Sequence, residues 1–451
     1  MECEAIILAA GLGKRMRSRL PKVLHSLGGR PMLSWSLEAC RLATGRRPYV
    51  VVGHEAPAVR QAVGDTAQFI EQPERLGTGH AVLQARQLLR GRSDLVLVVH
   101  ADMALVRSDT LRRTIESQQD NPGPITLLAA LADHSRGFGR VLRDEQGEIV
   151  AIVEEAHATA EQLALRELNS SIYCFQADWL WEHIDQLPLS PKGEYYLTDL
   201  VGMAAAEAGH VAWIHTDDPD ELIGINTREH LAEAETALRR RINRRWMLAG
   251  VSMIDPATTY IGADVCIGPD TVLFPNTHLE GKTTIGESCR LGPNTIVRDS
   301  MLGEGCSVEV SVVEEAILEN RAEVGPFSHL RRGAHLREGV HVGNFGEIKN
   351  STLGAGTKMG HFSYVGDATI GSGVNIGAGT ITCNFGRDGE KRHTEIGDDA
   401  FIGSDTMLVA PVSIGRGAVT GAGSVVTKNV PDSSLAVGAP ARVIRRLESD
   451  G

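Results

Sequence analysis

IGADVCIGPDTVLFPNTHLEGKTTIGESCRLGPNTIV, residues 261–297, carries an aliphatic side chain at every sixth position: Ile261, Ile267, Leu273, Leu279, Ile285, Leu291 and Val297. Glycine directly follows several of them, as in IGADVC, IGPDTV, IGESCR and LGPNTI. Six residues per short strand and turn is the period of a parallel β-helix, whose stacked aliphatics fill the axis. The phase resumes at Val324, Leu330, Leu336, Val342 and Ile348, and again at Ile396, Ile402, Leu408, Ile414, Thr420 and Val426. Chance does not hold seven anchors in phase, so residues 251–451 are expected to form such a coil. TCNFGRDGEKRHTE, residues 382–395, breaks the period with a polar loop that is not expected to form a rung. A long loop in a regular coil usually carries function or reaches a partner.

Outward from this coil the composition changes. Of 49 glycines, 19 lie in residues 1–250 and 30 in the shorter remainder, so two architectures are joined. The first half alternates apolar strand runs (5–9, 49–52, 95–99, 125–130) with helical stretches such as 32–42 and 78–89, which predicts a mostly parallel sheet covered by helices. GRVLRDEQGEIVAIVEE then reads as an antiparallel hairpin added to that sheet. Residues 227–250 read as one linker helix, with Glu229, Glu233 and Glu235 early and five arginines late, an order that complements the helix dipole. The arginines read as a solvated face rather than a nucleic-acid patch. The expected domains are therefore 1–226, a linker helix 227–250, and 251–451.

The 451 residues hold 45 basic and 57 acidic side chains, a net charge of −12. That balance argues against nucleic acid as a partner, and no run approaches the roughly 18 apolar residues of a membrane span. A cytoplasmic location is expected, with no membrane partner. Seven cysteines without CxxC spacing suggest neither a disulfide framework nor a zinc site, and read as small buried hydrophobes. Only 8 of the 45 basic residues are lysine, so a retained lysine is a mild pointer to a site that needs a compact ammonium.

LAAGLGKRM, residues 8–16, places glycines directly after a strand, where backbone amides approach phosphate, and Arg15 and Lys22 follow close behind. It is neither a Walker loop nor a complete GxGxxG, and alone it serves equally as a plain strand-to-helix turn. Asp102 follows the apolar strand LVLVV, where by itself it reads as a helix N-cap. In MGHFSYVGD, His361 lies two places after the anchor Met359, at the turn of a rung. A histidine there reads as a surface residue or as a general base, since its pKa near neutrality suits proton transfer from an amine.

LAAGLGKRM, LPKVLH, EQPERLGTGHAV, NSSIY, GEYYLTD and GINTR together resemble the sugar-1-phosphate nucleotidyltransferases. With the hexapeptide half, the whole chain is similar to the bacterial family of bifunctional N-acetylglucosamine-1-phosphate uridyltransferases and glucosamine-1-phosphate acetyltransferases. The resemblance implies a Rossmann-like α/β nucleotidyltransferase domain followed by a left-handed parallel β-helix. It implies two reactions, acetylation of glucosamine 1-phosphate by acetyl-CoA and then transfer of UMP from UTP. It places the uridine nucleotide against Leu8, Ala9, Ala10, Gly11, Gln72, Gly77 and Thr78, with Arg15 and Lys22 at the phosphates. The sugar would meet Gly139, Glu154 and Asn169, and Asp102 with Asn226 would hold Mg2+. In the second half it makes His361 the catalytic base. Arg331 and Lys349 contact the substrate phosphate, and Tyr364 and Asn375 the sugar. Ala378, Asn384, Phe385, Ser404 and Ala422 would line acetyl-CoA, with the loop 382–395 reaching a neighbouring prism in a homotrimer.

The chain departs from the family pattern at several positions. His100 and Ala101 replace the Tyr-Gly that usually precedes the metal aspartate, Lys14 replaces a threonine, and Ser170 and Ser171 replace Thr-Gly after Asn169. Phe385 stands for a tyrosine. The tail GAPARVIRRL also differs; Arg442, Arg445 and Arg446 read as solvated charges or as contacts to coenzyme A phosphates. The alternatives are an acetyltransferase whose nucleotidyl half has changed or lost its specificity, and a non-catalytic regulatory assembly subunit. The set Arg331, Lys349, His361, Tyr364 and Asn375 speaks against the latter, because a scaffold has no physical need of it.

Overall fold

The computed structural model describes residues 1–53, 55–132 and 137–447, apart from the side chain of Ala208. The chain resolves into two compact units, Met1–Leu238 and Arg239–Gly451. The division falls inside one helix, Arg228–Leu248. Its first half belongs to the first unit, where Gly28 N donates to Glu235 Oε2 (2.9 Å). Its second half belongs to the other, where Asn243 Nδ2 donates to the carbonyls of Pro256 (2.9 Å) and Thr259 (3.0 Å). No helix among the described residues is long and apolar enough to cross a membrane.

The first unit is built on a nine-stranded sheet: β1 (Cys3–Leu8), β2 (Tyr49–Val52), β3 (Gln68–Glu71), β4 (Leu95–His100), β5 (Ile125–Leu131), β6 (Arg140–Arg143), β7 (Ile149–Val153), β8 (Glu167–Gln176) and β9 (Ala212–His215). The main order is β9-β5-β8-β4-β1-β2-β3, with the β6–β7 hairpin paired to β8. Side chains alternate across the pleat. Ile6, Val51, Val96 and Val98 enter one buried cluster, while Ala5, Ile7, Val50, Leu97 and Val99 enter the other. The antiparallel addition sits inside the sheet, because β8 runs antiparallel to both β4 and β5. The expected helix 78–89 is two pieces, Thr78–Leu83 and Arg86–Leu89.

β1 is flanked by β2 on one side and β4 on the other, both parallel to it. The connections therefore diverge at the carboxyl ends of β1 and β4, which opens a crevice there, the usual ligand position in such sheets. Leu8 and His100 are register partners at that edge.

Among the described residues the second unit is a three-faced coil whose sheets hold 12, 10 and 9 strands, parallel throughout except for the last strand of the first sheet. Every anchor of the six-residue pattern is buried, from Ile261 through Val297, Val324 through Ile348 and Ile396 through Val426. The gaps in the pattern are not gaps in the coil. Leu302, Val308, Val313 and Leu318 continue the axis, stacked on Ile285, Leu291, Val297 and Leu302. Several of these rungs have five residues, so a strict period of six loses them. The loop is also shorter than expected, since Ile381–Cys383 and Thr394–Ile396 are strands and Thr382 and Thr394 are buried. What projects is a small hairpin closed by a Phe385–Lys391 bridge. The tail strand Ala441–Arg446 pairs antiparallel with Ser434–Gly438 and leaves Arg442, Arg445 and Arg446 exposed. All seven cysteines are free thiols; five are buried, but Cys266 is exposed and Cys383 half-buried, contrary to the uniform expectation.

Candidate functional sites

At the carboxyl edge of β1 and β4 lies a cavity of about 470 Å³. Its wall includes Leu8, Ala9, Ala10 and Gly11 from the end of β1, Lys22 from the following loop, and Asp102 beyond β4. Gln72, Gly77 and Thr78 close another side. Nine residues expected to bind nucleotide, phosphate or metal thus converge from three separate strand ends. A Cβ on Gly11 would meet no atom within 4 Å, so its close-approach space faces outward, where a ligand can use it. Gly77 is different: at φ +100° its Cβ would lie 2.5 Å from Tyr195 O, so the site depends on glycine there. Gln72 is held by its own amide, which donates to Gly77 O (3.1 Å). Thr78 Oγ1 accepts from Leu197 N (2.9 Å) and so fixes the GEYYLTD segment over this wall.

The centre of the charge arrangement is Lys22. Its ammonium donates to Asp102 Oδ2 (2.7 Å) and to Asn226 Oδ1 (3.0 Å), groups 80 and 204 positions away in sequence. Burial tends to raise the Asp102 carboxyl, but the Lys22 charge and hydrogen bond, with His100, hold it below the usual carboxylate range. Burial holds the His100 ring below its ordinary value. Among the described residues no group of three or more His, Cys, Asp or Glu is arranged to hold a metal. The carboxylate and amide oxygens around Lys22 nevertheless already receive a cation. That sparse oxygen set fits Mg2+, which keeps waters and relies on substrate phosphates for the rest of its shell.

A second cavity of about 740 Å³ borders Arg15, Arg140, Glu154 and Lys192, and Tyr196 lines both cavities. Arg15 is exposed, and among the described residues no carboxylate pairs with its guanidinium. Glu154 accepts from Thr198 Oγ1 (3.1 Å), and burial raises its carboxyl above the usual range despite that bond. Asn169 N donates to Gly139 O (3.0 Å), so these two expected sugar contacts brace each other. Asn169 Oδ1 accepts from Ser171 N (3.1 Å) at a bulge where Ser171 takes φ +61°. The family glycine at that position has been replaced without loss of the left-handed turn. Ala101 likewise fits, since its N–H donates to Leu8 O (3.1 Å) and its methyl joins the buried cluster of Ile7 and Val99. Sequence reasoning missed Tyr196 and Lys192, although Tyr196 lies in the quoted GEYYLTD.

In the second unit the turn between the 12-strand and 10-strand faces repeats a Gly-X pattern along one edge: Gly360-His361, Gly377-Ala378, Gly403-Ser404 and Gly421-Ala422. A Cβ on Gly377 would lie 2.5 Å from Ser404 N, and one on Gly403 2.7 Å from Ala422 N, so successive coils close tightly there. A Cβ on Gly360 would meet nothing within 4 Å, and the edge is open beside His361. His361 is exposed, and among the described residues no group is hydrogen-bonded to its ring.

Farther along the 10-strand face, Lys349 pairs in register with Gly366, and Arg331 follows Leu330, the partner of Ile348. Lys349 is held below its ordinary value first by the charge of Lys391 and then by that of Arg331. Three cations therefore meet on this face, and Lys391, which comes from the projecting hairpin, was not anticipated. Arg331 also donates to Glu347 Oε1 (2.7 Å). Tyr364 lies on the same face, with its hydroxyl 3.5 Å from Asn384 Nδ2. Asn384 is buried and donates to Asp367 Oδ2 (2.5 Å), whose other oxygen accepts from Asn350 Nδ2 (2.6 Å). Asp367 thus anchors the root of the hairpin, and Phe385 beyond it is 68% exposed. Asn375 is not brought to this group. It sits on the 12-strand face between Lys358 and Phe401.

Comparison with known proteins agrees with both halves. Residues 5–186 match the MobA-like NTP transferase domain, and residues 393–428 match the bacterial transferase hexapeptide (six repeats). The protein named Bifunctional protein GlmU from Heliobacterium modesticaldum is 46% identical, over 96% of this chain and 94% of its own length. The chain belongs to the GlmU family. GlmU-named proteins from Pelobacter propionicus and Fervidobacterium nodosum are each 45% identical over 98% of this chain and 96% of their own lengths. The GlmU-family chain described here is accordingly a bifunctional transferase, with uridylyltransferase and acetyltransferase activities, and its second unit is a left-handed β-helix of hexapeptide repeats.

Proposed function

We propose that the chain acetylates glucosamine 1-phosphate in residues 251–451 and uridylylates the product in residues 1–226, with 227–250 as the joining helix. The observation that carries the first step is the open edge at His361. The amine of the sugar attacks the thioester carbonyl of acetyl-CoA, the C–S bond breaks, and His361 takes the amine proton. Arg331, Lys349 and Lys391 hold the sugar phosphate, which fixes the amine for attack. Tyr364 and Asn375 contact the sugar. The shallow edge of Ala378, Ser404 and Ala422 offers a track for the acyl carrier, with Asn384 and Phe385 beside it.

For the second step, a phosphate oxygen of N-acetylglucosamine 1-phosphate attacks the α-phosphorus of UTP, and the bond to pyrophosphate breaks. Mg2+, held by Asp102 and Asn226, supplies neutralisation of charge on the phosphates when bound. Lys22 and Arg15 add positive charge. Leu8, Ala9, Ala10, Gly11, Gln72, Gly77 and Thr78 seat the nucleotide, while Gly139, Glu154 and Asn169 orient the sugar. No enzyme nucleophile is required; positioning and electrostatics carry the step.

A homotrimer is the assembly this reading favours. The proposed acetyl-site residues lie on two faces of one prism, with Asn375 on one and Lys349 on the next. A second copy seated at the edge would complete them. The same edge carries exposed Phe327 and Phe345, stacked at 5.4 Å, and exposed Phe362 in the next coil. Exposed aromatics in a row are an interface signal. The location proposed is cytoplasmic, where these small substrates are made and used.

The test is a mass-resolved product assay with glucosamine 1-phosphate, acetyl-CoA, UTP and Mg2+, repeated with each component omitted. UDP-N-acetylglucosamine is expected from the full mixture, and N-acetylglucosamine 1-phosphate alone when UTP is absent. Acetylation without nucleotide transfer in the full mixture would mean that the His100-Ala101 segment has changed the first half's specificity.

A further inference from the structure

Lys22 is held in a position at odds with a role limited to phosphate. At the cavity wall its ammonium bridges the Asp102 carboxylate and the Asn226 amide oxygen, at 2.7 and 3.0 Å. The side chains of Lys22 and Asp102 are only 13% and 17% exposed, so this is not a loose surface pair. The backbone builds the approach. Pro21 (φ −50°) leads into the short turn Lys22–Leu24. Gly13 (φ +59°) lies so close over the lysine stem that a Cβ there would sit 2.6 Å from Lys22 Cβ. Accepting this bond also turns the Asn226 amide so that its oxygen, the only atom of that group able to bind a cation, faces inward.

On the reading that Asp102 and Asn226 hold the divalent cation, we propose that Lys22 is the resident counter-ion of that pair and competes with the metal for the same two oxygens. An ammonium and a divalent ion cannot both sit within 3 Å of one carboxylate without strong mutual repulsion in a partly buried site. Metal entry therefore expels Lys22 from the two oxygens, and the freed ammonium turns to the nucleotide phosphates. Lys22 is thus a positioning residue that couples two events. It keeps Asp102 and Asn226 in order when metal is absent, and it makes metal binding and phosphate binding mutually favourable.

The experiment measures free Mn2+ by electron paramagnetic resonance in titrations of the full chain without nucleotide. Wild type, Lys22→Gln, Asp102→Asn and the double variant are compared. Lys22→Gln is expected to bind Mn2+ about tenfold more tightly than wild type, because a competing charge has gone. Asp102→Asn and the double variant are expected to lose the site. If Asp102→Asn loses the site but Lys22→Gln binds no tighter than wild type, the competition is wrong and the metal ligands stand. If Asp102→Asn binds as wild type does, the metal reading fails and the competition fails with it. A second measurement needs no variant. Amine-reactive labelling read by mass spectrometry should show Lys22 becoming several-fold more reactive with Mn2+, relative to the other seven lysines. Unaltered Lys22 labelling at saturating Mn2+ would overturn the proposal.

Discussion

His361→Ala lowers acetyl transfer by about 10²–10⁴-fold and leaves uridylyl transfer unchanged: this is the expected result of removing the base while the rest of the coil stays in place. His361 is exposed, and among the described residues nothing is hydrogen-bonded to its ring, so its truncation should shift stability by less than about 0.5 kcal/mol. The loss therefore reads as chemistry, not unfolding. Steady-state rates of both half-reactions, measured on one preparation, check it. Equal loss of both activities would mean that the two halves do not work as separate chemical sites.

Asp102→Asn is expected to do the reverse, lowering uridylyl transfer by about 10²–10³-fold while acetylation persists. Two effects add. The variant loses the charge that holds the metal, and it leaves the Lys22 ammonium, only 13% exposed, facing an amide in place of a carboxylate. The second effect costs about 1–3 kcal/mol of local stability. A thermal scan alongside the rate assay separates the two. Excess Mg2+ or Mn2+ should rescue the variant only in part. Unchanged uridylyl transfer would remove Asp102 from the metal site.

The sequence pattern made the coil legible because one side chain in six must fill a narrow axis, and Ile261 through Val297 obey that without exception. It lost the stretch from Leu302 to Leu318 because turns there drop a residue while the strands stay in register. It misjudged the ends of the loop for another reason. Thr382 and Thr394 are polar in sequence yet buried in the structure, Thr382 Oγ1 donating to Gly366 O (3.0 Å). In the first unit, glycine and charge placement pointed to the strand ends that form the cavity. What no linear motif displays is convergence. Lys22, Asp102 and Asn226 meet across 204 positions, and Lys391 reaches Lys349 only because a hairpin folds back to it. Asp367 closed a quoted motif but took on meaning only when its carboxylate was seen to hold both Asn350 and Asn384.

In the proposed scheme the two reactions run at separate sites, one in each half of the chain with a second copy completing the acetyl site, so the intermediate must leave one site to reach the other. Mixing separately purified His361→Ala and Asp102→Asn proteins with glucosamine 1-phosphate, acetyl-CoA, UTP and Mg2+ tests it most directly. Neither variant alone should make UDP-N-acetylglucosamine at more than a residual rate. The mixture should make it readily, after a lag in which N-acetylglucosamine 1-phosphate accumulates. A mixture as inactive as its components, although each retains its own half-reaction, would contradict the account.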